Sequence, residues 1–347
     1  MIKMYDYKKA QEETLSTLKQ LDNNVWLMEY KCNYALDKIL EQGTKGIMEA
    51  VRFLQKEIKL PPLQLNPEKD GFACSTYNAK TPDGDYFLAR NFDYKAAPCL
   101  VCWATPENGY KSMSVVDTTF FIHGTKYFPM SKAKNHLRAL AAPYTSMDGI
   151  NEKGFSIAVL EIKSKATKQS TGKKPIITTV AIRAALDKCA TVQEGIELFA
   201  SYDMQDLLGI CYHYQLADAE GNSAIIEYID NKMVVISQER DKENLILTNY
   251  FLSEGGDNHD GRGYDRYERI ETTLKAHNGQ LTGDEAMKLL SEVTLHYRHK
   301  TFKHQVITLW SSVYNCNEKS MLMCAGMDYD TEYKFYVDKP CEATRIK

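Results

Sequence analysis

Several things are scarce in this chain, and each scarcity removes a class of function. No apolar stretch in the 347 residues approaches the roughly 20 that a helix needs to span a bilayer. No run of lysines and arginines stands out. With 43 basic against 46 acidic residues the net charge is −3, which gives no sign of a nucleic-acid or membrane partner. No heptad array, collagen period or repeat of fixed length is present. The N-terminus, Met1-Ile-Lys-Met-Tyr-Asp-Tyr-Lys-Lys9, has neither the apolar core nor the small-residue cleavage site of a secretory signal, so a cytoplasmic protein is expected. The nine cysteines are odd in number and irregular in spacing, which fits a reducing compartment better than a disulfide framework. Cys99 and Cys102 are the one close pair. A zinc site would want a second such pair, which Cys316 and Cys324 do not make, so both read as small buried hydrophobes. No metal and no cofactor is expected.

What is present is the composition of an ordinary globular protein, 44% hydrophobic and 26% charged, long enough for one large domain or two ordinary ones. Residues 1–73 read mainly as helix. Ile47, Val51, Leu54 and Ile58 recur at spacings of four, three and four and make one apolar face. Pro61-Pro62 ends that helix, and residues 60–70 form an extended connector. Residues 25–31 fit a short strand or a helix start. Beyond residue 73 the texture changes. Strands are predicted at 72–77, 86–91, 100–105, 112–121, 155–162, 212–217, 223–229, 232–237, 305–314, 320–324 and 333–337. Helices are predicted at 176–189, at 191–202 with a Thr191 cap, at 266–275 and at 283–293. Strand runs separated by paired helices predict sheets with helices packed outside them, an α+β architecture.

The most informative segment is Gly71-Phe-Ala-Cys-Ser-Thr-Tyr77, followed sixteen residues after Cys74 by Arg90-Asn91-Phe92-Asp93. Pro82-Asp83-Gly84-Asp85 lies between, and Asp-Gly is the strongest two-residue hairpin signal. The returning strand brings Arg90 and Asp93 back beside the cysteine. A thiol next to a guanidinium ionises more easily, and the thiolate is the reactive form. The bland alternative is a buried free cysteine on a strand.

As an internal nucleophile Cys74 needs a base, usually histidine. His213, His259 and the cluster His296, His299 and His304 are available, and because such pairing is spatial it stays open. His296-x-x-His299 has no carboxylate at ligand spacing, and Arg298, Lys300 and Lys303 mark a basic solvated surface. The other route is a cut between Ala73 and Cys74. Cys74 then carries an α-amine with a pKa of about 7.7–8.0, able to take the thiol proton and return it to a leaving amine. A lysine at about 10.4 is protonated and unsuited to that work. The loop at 253–263, rich in glycine and short polar residues, suits a lid that leads into Arg266. Its oxygen donors lack the terminal bidentate carboxylate of a calcium loop.

The residues Cys74-Ser-Thr-Tyr77, Gly84, Arg90-Asn-x-Asp93 and Met147-Asp-Gly-Ile-Asn-Glu-Lys-Gly-Phe155 resemble the choloylglycine hydrolase and penicillin V acylase family of N-terminal nucleophile hydrolases. Asp218-Ala-Glu-Gly-Asn-Ser-Ala224 with Ile226-Glu227, Leu247-Thr-Asn249, Asp265-Arg-Tyr-Glu-Arg269 and Thr308-Leu-Trp-Ser-Ser-Val-Tyr-Asn315 follow in the family's order. The resemblance implies a four-layer αββα sandwich over 74–347, preceded by a mainly helical pro-segment, 1–73, released or retained as a small subunit. It implies cleavage of linear, non-peptide N-acyl amides through an acyl-thioester on Cys74, activated by autoproteolysis at Ala73–Cys74. Arg90 is implied against the thiol, Asp93 on the α-amine, Asn151 and Asn249 as oxyanion donors, and Arg266 in the polar ring. The chain departs from the bile-salt branch, where the nucleophile lies next to the initiator methionine. Its pro-segment resembles instead the acid ceramidase and N-acylethanolamine acid amidase branch and the acyltransferase branch that processes penicillin precursors. The expected partner is a small N-acyl amide, its apolar acyl group set against Tyr77, Phe92 and Tyr94. No nucleic acid and no membrane span is expected, and room is left for a homo-oligomer. Two other functions compete: an acyltransferase passing the acyl group to an amine, and an uncut binding protein on the same fold.

Overall fold

The computed structural model describes residues 6–60, 73–121, 136–206, 209–238, 244–298 and 305–347. The connector expected after Leu60, Gly71 and Phe72, and His299, Lys300, Lys303 and His304 lie outside the described residues. Among the described residues two large sheets form. The first has nine strands in the order β1 (Lys19–Gln20), β2 (Val25–Tyr30), β5 (Cys99–Ala104), β6 (Ser112–Asp117), β7 (Ser146–Asn151), β8 (Ser156–Ile162), β11 (Cys211–Ala217), β12 (Ser223–Ile229) and β13 (Lys232–Gln238). The second runs β14 (Ile246–Leu247), β3 (Ala73–Lys80), β4 (Tyr86–Lys95), β16 (Gln305–Asn315), β17 (Ser320–Ala325), β18 (Tyr333–Tyr336) and β19 (Thr344–Arg345), with β15 (His296–Arg298) beside β16. A short parallel pair joins β9 (Pro175–Ile177) to β10 (Asp203–Gln205).

The sheets face each other, and Cys74, Leu88 and Phe92 of the second share one core with Val101, Ala158 and Leu160 of the first. Helices close both outer faces. On the first sheet, α1 (Tyr7–Ser16) lies against β2, and α4 (Thr178–Lys188) against β7 and β8. Two further helices before Cys74 are α2 (Leu36–Gln42) and α3 (Ile47–Glu57); α5 (Val192–Ala200) packs on β11 and β12. On the second sheet, α6 (Tyr264–Ala276) covers β3 and β14, and α7 (Gly283–Glu292) covers β4 and β16. Tyr77, Phe87, Ile270, Leu274 and Leu289 fill that outer interface. This is the expected αββα sandwich. With both faces of each sheet covered, strands lose their alternation: all six residues of β5, Cys-Leu-Val-Cys-Trp-Ala, are buried.

Three local outcomes refine the sequence reading. Residues 25–31 resolve to strand: β2 pairs in parallel with β5, so the segment before Cys74 is built into the first sheet. The β3–β4 connection is five residues, not two. Thr81 N donates to Asp85 O at 2.7 Å, Gly84 N donates to Thr81 O at 2.9 Å, and Gly84 takes φ +101°. Pro82 presets the first turn position and Gly84 supplies the left-handed one. Finally, β7 was not expected as a strand, because Asp148-Gly149 reads locally as a turn. Gly149 serves packing instead: a Cβ there would lie 2.6 Å from Met113 O and 3.0 Å from a Leu186 methyl of α4.

Candidate active site

The hairpin register pairs Cys74 with Phe92, Thr76 with Arg90 and Ala73 with Asp93. Alternation along a strand therefore puts Cys74, Arg90 and Phe92 on the face toward the first sheet. Cys74 is wholly buried, with Arg90 Nη2 3.3 Å from its Sγ. Arg90 Nη1 meets Asp148 Oδ2 at 2.7 Å and donates to Met147 O at 3.0 Å, which ties the two sheets together beside the thiol. Its guanidinium lies over the rings of Phe92 (4.8 Å) and Trp310 (5.7 Å), themselves stacked at 4.3 Å. Asp148 also accepts from Trp310 Nε1 at 3.0 Å and from the Tyr314 hydroxyl.

On the other side, Asn249 Oδ1 accepts from Cys74 N at 2.9 Å and from Arg266 Nη2 at 2.8 Å. Asn249 Nδ2 donates to Glu161 O at 2.8 Å, and among the described residues one of its two amide hydrogens is left for another acceptor. Arg266, in the first turn of α6, donates through Nη1 to Cys74 O at 2.5 Å and Ser75 Oγ at 2.7 Å. Gly263, at φ +87°, makes room for it: a Cβ there would lie 2.6 Å from Arg266 Nη2. Asp93 accepts from Thr308 Oγ1 at 2.5 Å on Oδ1. Its Oδ2, buried, stands 3.5 Å from Arg266 Nη1 with no hydrogen bond among the described residues.

Burial dominates the electrostatics. It pushes the Cys74 thiol up to about 12, against the lowering pull of Arg90 and Arg266, with Asp93 adding to the rise. The easily ionised thiol expected from the adjacent guanidinium is thus not found in the uncut, enclosed chain; desolvation outweighs the arginine. Asp93 is likewise pushed up by burial to about 6, against Arg266, Thr308 and Arg90.

Five of the six expected site residues converge here, and Asn151 does not. At the far end of β7, its Nδ2 donates to Leu186 O (2.9 Å) and Cys189 O (2.7 Å), and its Oδ1 accepts from Lys153 N and Phe155 N. Both amide hydrogens are spent on backbone carbonyls at the end of α4, so Asn151 fastens a turn and has no donor left for an oxyanion. Tyr77 also leaves the site: it is buried under the outer helices and donates to Ala286 O at 2.9 Å. Phe92 stays beside the thiol's strand position, and Tyr94 is partly buried against the inner core. Sequence reasoning missed Asp148, Thr308 and Trp310. One signal was available for the first, since an arginine between two sheets needs a buried carboxylate and Met147-Asp148 was already in view.

The remaining candidates separate from the site. Cys99 and Cys102, three residues apart on β5, point to opposite faces and share no ligand. No cluster of three or more histidine, cysteine or acidic side chains that could hold a metal occurs among the described residues. His213 is buried against Glu227, while His259 is exposed. The stem of the 253–263 loop is pinned, with Asn249 and Arg262 exchanging backbone hydrogen bonds at 3.2 and 3.1 Å. No helix among the described residues is long and apolar enough to cross a membrane.

A family model described as acyl-coenzyme A:6-aminopenicillanic acid acyl-transferase matches residues 79–330. The chain belongs to that family. The match begins after Cys74 and takes in Arg90, Asp93, Asn249 and Arg266. The chain is also 35% identical over 118 residues to penicillin V acylase of Pectobacterium atrosepticum, a match covering 30% of each. The chain thus spans about a third of that relative's length or less. Its fold is similar to a variant of the conjugated bile acid hydrolase of Clostridium perfringens, at TM-score 0.55 and 15% identity, covering 79% of this chain and 96% of that one. It is also similar to penicillin V acylase of Agrobacterium tumefaciens, at TM-score 0.50 and 18% identity over 75% and 90%. The kinship expected from the sequence motifs is borne out.

Proposed function

We propose that this acyl-transferase family member is a cysteine amidohydrolase of linear N-acyl amides, activated by a cut between Ala73 and Cys74. One observation carries the reading. Cys74 N is already held by Asn249, and Asp93, opposite Ala73 in the hairpin, keeps a buried oxygen without a hydrogen bond among the described residues. An α-ammonium on Cys74 is the donor that oxygen lacks.

In the cut, Cys74 Sγ attacks the Ala73 carbonyl carbon and the C–N bond breaks. The nitrogen leaves as the Cys74 α-amine, and water hydrolyses the thioester to free the Ala73 carboxylate. In turnover the α-amine takes the thiol proton and the thiolate attacks the substrate carbonyl. The remaining Asn249 amide hydrogen stabilises the oxyanion, an effect worth about 3–4 kcal/mol per donor. The α-ammonium then protonates the leaving amine, and water releases the acid from the acyl-thioester. Arg90, fixed by Asp148, faces the thiolate through both half-reactions. The burial of β2 in the first sheet supports a small subunit, 1–73, that stays bound after the cut. The names of the relatives, penicillin V acylase and conjugated bile acid hydrolase, support an acyl amide of a small molecule over an internal peptide bond.

The description of the matching family favours a second reading, acyl transfer to an amine in place of water. Intact mass and N-terminal sequencing, with turnover on N-acyl amino acids, acyl-ethanolamines, bile-acid conjugates and penicillin V, test the first. Full activity in an uncut chain, or preference for ordinary peptides, would refute it. Diversion of product from free acid on adding amines decides for the second.

A further inference from the structure

Of the buried ionisable pairs that the mechanism does not use, one reaches the segment that carries Asn249. His213 on β11 and Glu227 on the adjacent β12 are both wholly inaccessible to solvent. His213 Nδ1 lies 3.3 Å from Glu227 Oε1, and Nε2 lies 2.7 Å from the carbonyl oxygen of Thr248. Glu227 in turn accepts from Leu252 N at 3.0 Å and Ser253 N at 2.9 Å. A carbonyl oxygen only accepts, so His213 Nε2 carries a hydrogen and donates it to Thr248 O, while Nδ1 faces the Glu227 carboxyl. The Glu227 carboxyl sits below its ordinary range. Burial acts to raise it, and the hydrogen bond and charge of His213 with the Ser253 and Leu252 donors outweigh that.

The pair grips both ends of one short segment. Pairing of β14 with β3 runs only through Leu247, opposite Thr76. The next carbonyl, that of Thr248, belongs to the peptide plane shared with Asn249, and His213 holds it. Leu252 and Ser253 leave the other side of Asn249 and are held by Glu227. Between these anchors Asn249 presents the oxygen that accepts from Cys74 N and Arg266. A rotation of the Thr248–Asn249 peptide plane would move that carboxamide relative to the thiol.

We propose that His213, fixed by Glu227, is a positioning residue that sets Asn249 against Cys74 and so governs the rate of acyl transfer without touching substrate. The inference rests on the amidohydrolase reading given above. A glutamine at 213 can still donate to Thr248 O from a position close to that of Nε2, whereas leucine cannot.

The test uses the full-length protein as isolated, with folded fraction measured by circular dichroism, on the best wild-type substrate of the N-acyl amide panel. His213→Leu should lower kcat about 10²-fold with KM unchanged, the effect of roughly ångström misplacement of a catalytic group. His213→Gln should recover most of the loss. If His213→Leu does not fold, Glu227→Gln takes its place and should show a kcat-only loss in the same direction. Unchanged turnover in a folded variant, a loss confined to KM, or glutamine no better than leucine would overturn the proposal. If the wild type hydrolyses no member of the panel, the functional reading fails. The positioning role is then judged by the rate of Cys74 alkylation with iodoacetamide: slower labelling in His213→Leu, restored in His213→Gln, supports it, and equal rates refute it.

Discussion

Two places in this molecule are built from nearly the same parts, and only one of them surrounds Cys74. Arg90 pairs with Asp148 at 2.7 Å and Arg183 with Asp187 at 2.6 Å, all four side chains wholly buried. A tyrosine donates to each carboxylate, Tyr314 to Asp148 and Tyr34 to Asp187, and each guanidinium lies over an aromatic ring. Each arginine even lowers the pKa of a neighbouring cysteine, Arg90 that of Cys74 and Arg183 that of Cys102, and in both cases burial wins and leaves the thiol at about 12. Neither a buried ion pair nor a thiol near an arginine therefore marks a nucleophile. What distinguishes Cys74 lies on its backbone side: a nitrogen held by Asn249, a carbonyl held by Arg266, and Asp93 with an oxygen to spare. The Arg183 pair sits within one helix and ties it to Ser112 of the sheet, whereas the Arg90 pair joins two sheets around a chain position that a single cut would convert into an amine.

The sharpest way to break the comparison is to exchange the cysteines' fates. Cys74→Ala should abolish both self-cleavage and amide hydrolysis, while Cys102→Ala and Cys99→Ala keep turnover per folded molecule. Wild-type turnover in Cys74→Ala, measured on the same amide panel, would end the nucleophile assignment.

Next in size is the contrast between two asparagines that look alike in sequence. Asn249→Ala should lower turnover about 10²–10³-fold, since it removes the remaining oxyanion donor and frees the Cys74 nitrogen. Asn151→Ala should leave turnover per folded molecule intact and cost about 1–3 kcal/mol of stability, because two buried carbonyls lose their donor. Urea unfolding beside steady-state kinetics separates the two. Equal kinetic losses would return Asn151 to the site.

The two ion pairs supply the third comparison. Asp148→Asn and Asp187→Asn each leave a buried guanidinium uncompensated and should each destabilise by about 3–5 kcal/mol. Only Asp148→Asn should also slow turnover, roughly 10²-fold per folded molecule, by letting Arg90 drift from the thiol. Matching turnover in the two variants would make Asp148 purely structural.

These contrasts also mark how far the sequence could be read. The αββα class and most strands were legible because apolar runs of strand length recur between capped helices; β12 and the Thr191 cap fall where predicted. Cys74, Arg90 and Asp93 were legible because a hairpin has a countable register. Asn151 was misread because an asparagine before a Gly-containing turn has the same local sequence whether its amide faces a substrate or a helix end. β7 was missed for a related reason: Asp148-Gly149 is a turn by local preference, and only the approach of α4 makes the glycine a strand residue. Asp148 itself takes its meaning from Arg90, far away in the chain, and no local pattern carries that pairing. The His213 link is longer still in logic, joining β11 and β12 to the carbonyl of Thr248.

The smallest expected effect isolates Asp93. Its carboxyl is raised from 3.8 to about 6 in the uncut chain, chiefly by burial. The folded state then holds a proton that the unfolded state has released, so stability is favoured at low pH and declines as pH rises from about 4 to about 6. A shift of about two pH units corresponds to about 3 kcal/mol across that window. Asp117, also raised to about 6 by burial, contributes in the same direction, so the comparison must be differential. Urea unfolding of Cys74→Ala, which cannot cut itself, should show the decline, and adding Asp93→Asn should remove Asp93's share and leave that of Asp117. In the cut enzyme the α-ammonium facing Asp93 Oδ2 should hold the carboxylate charged and flatten the same share. Equal slopes in the single and double variants between pH 4 and 6 would mean that Asp93 is already partnered in the uncut chain, and the argument that its open oxygen awaits the Cys74 amine would fall.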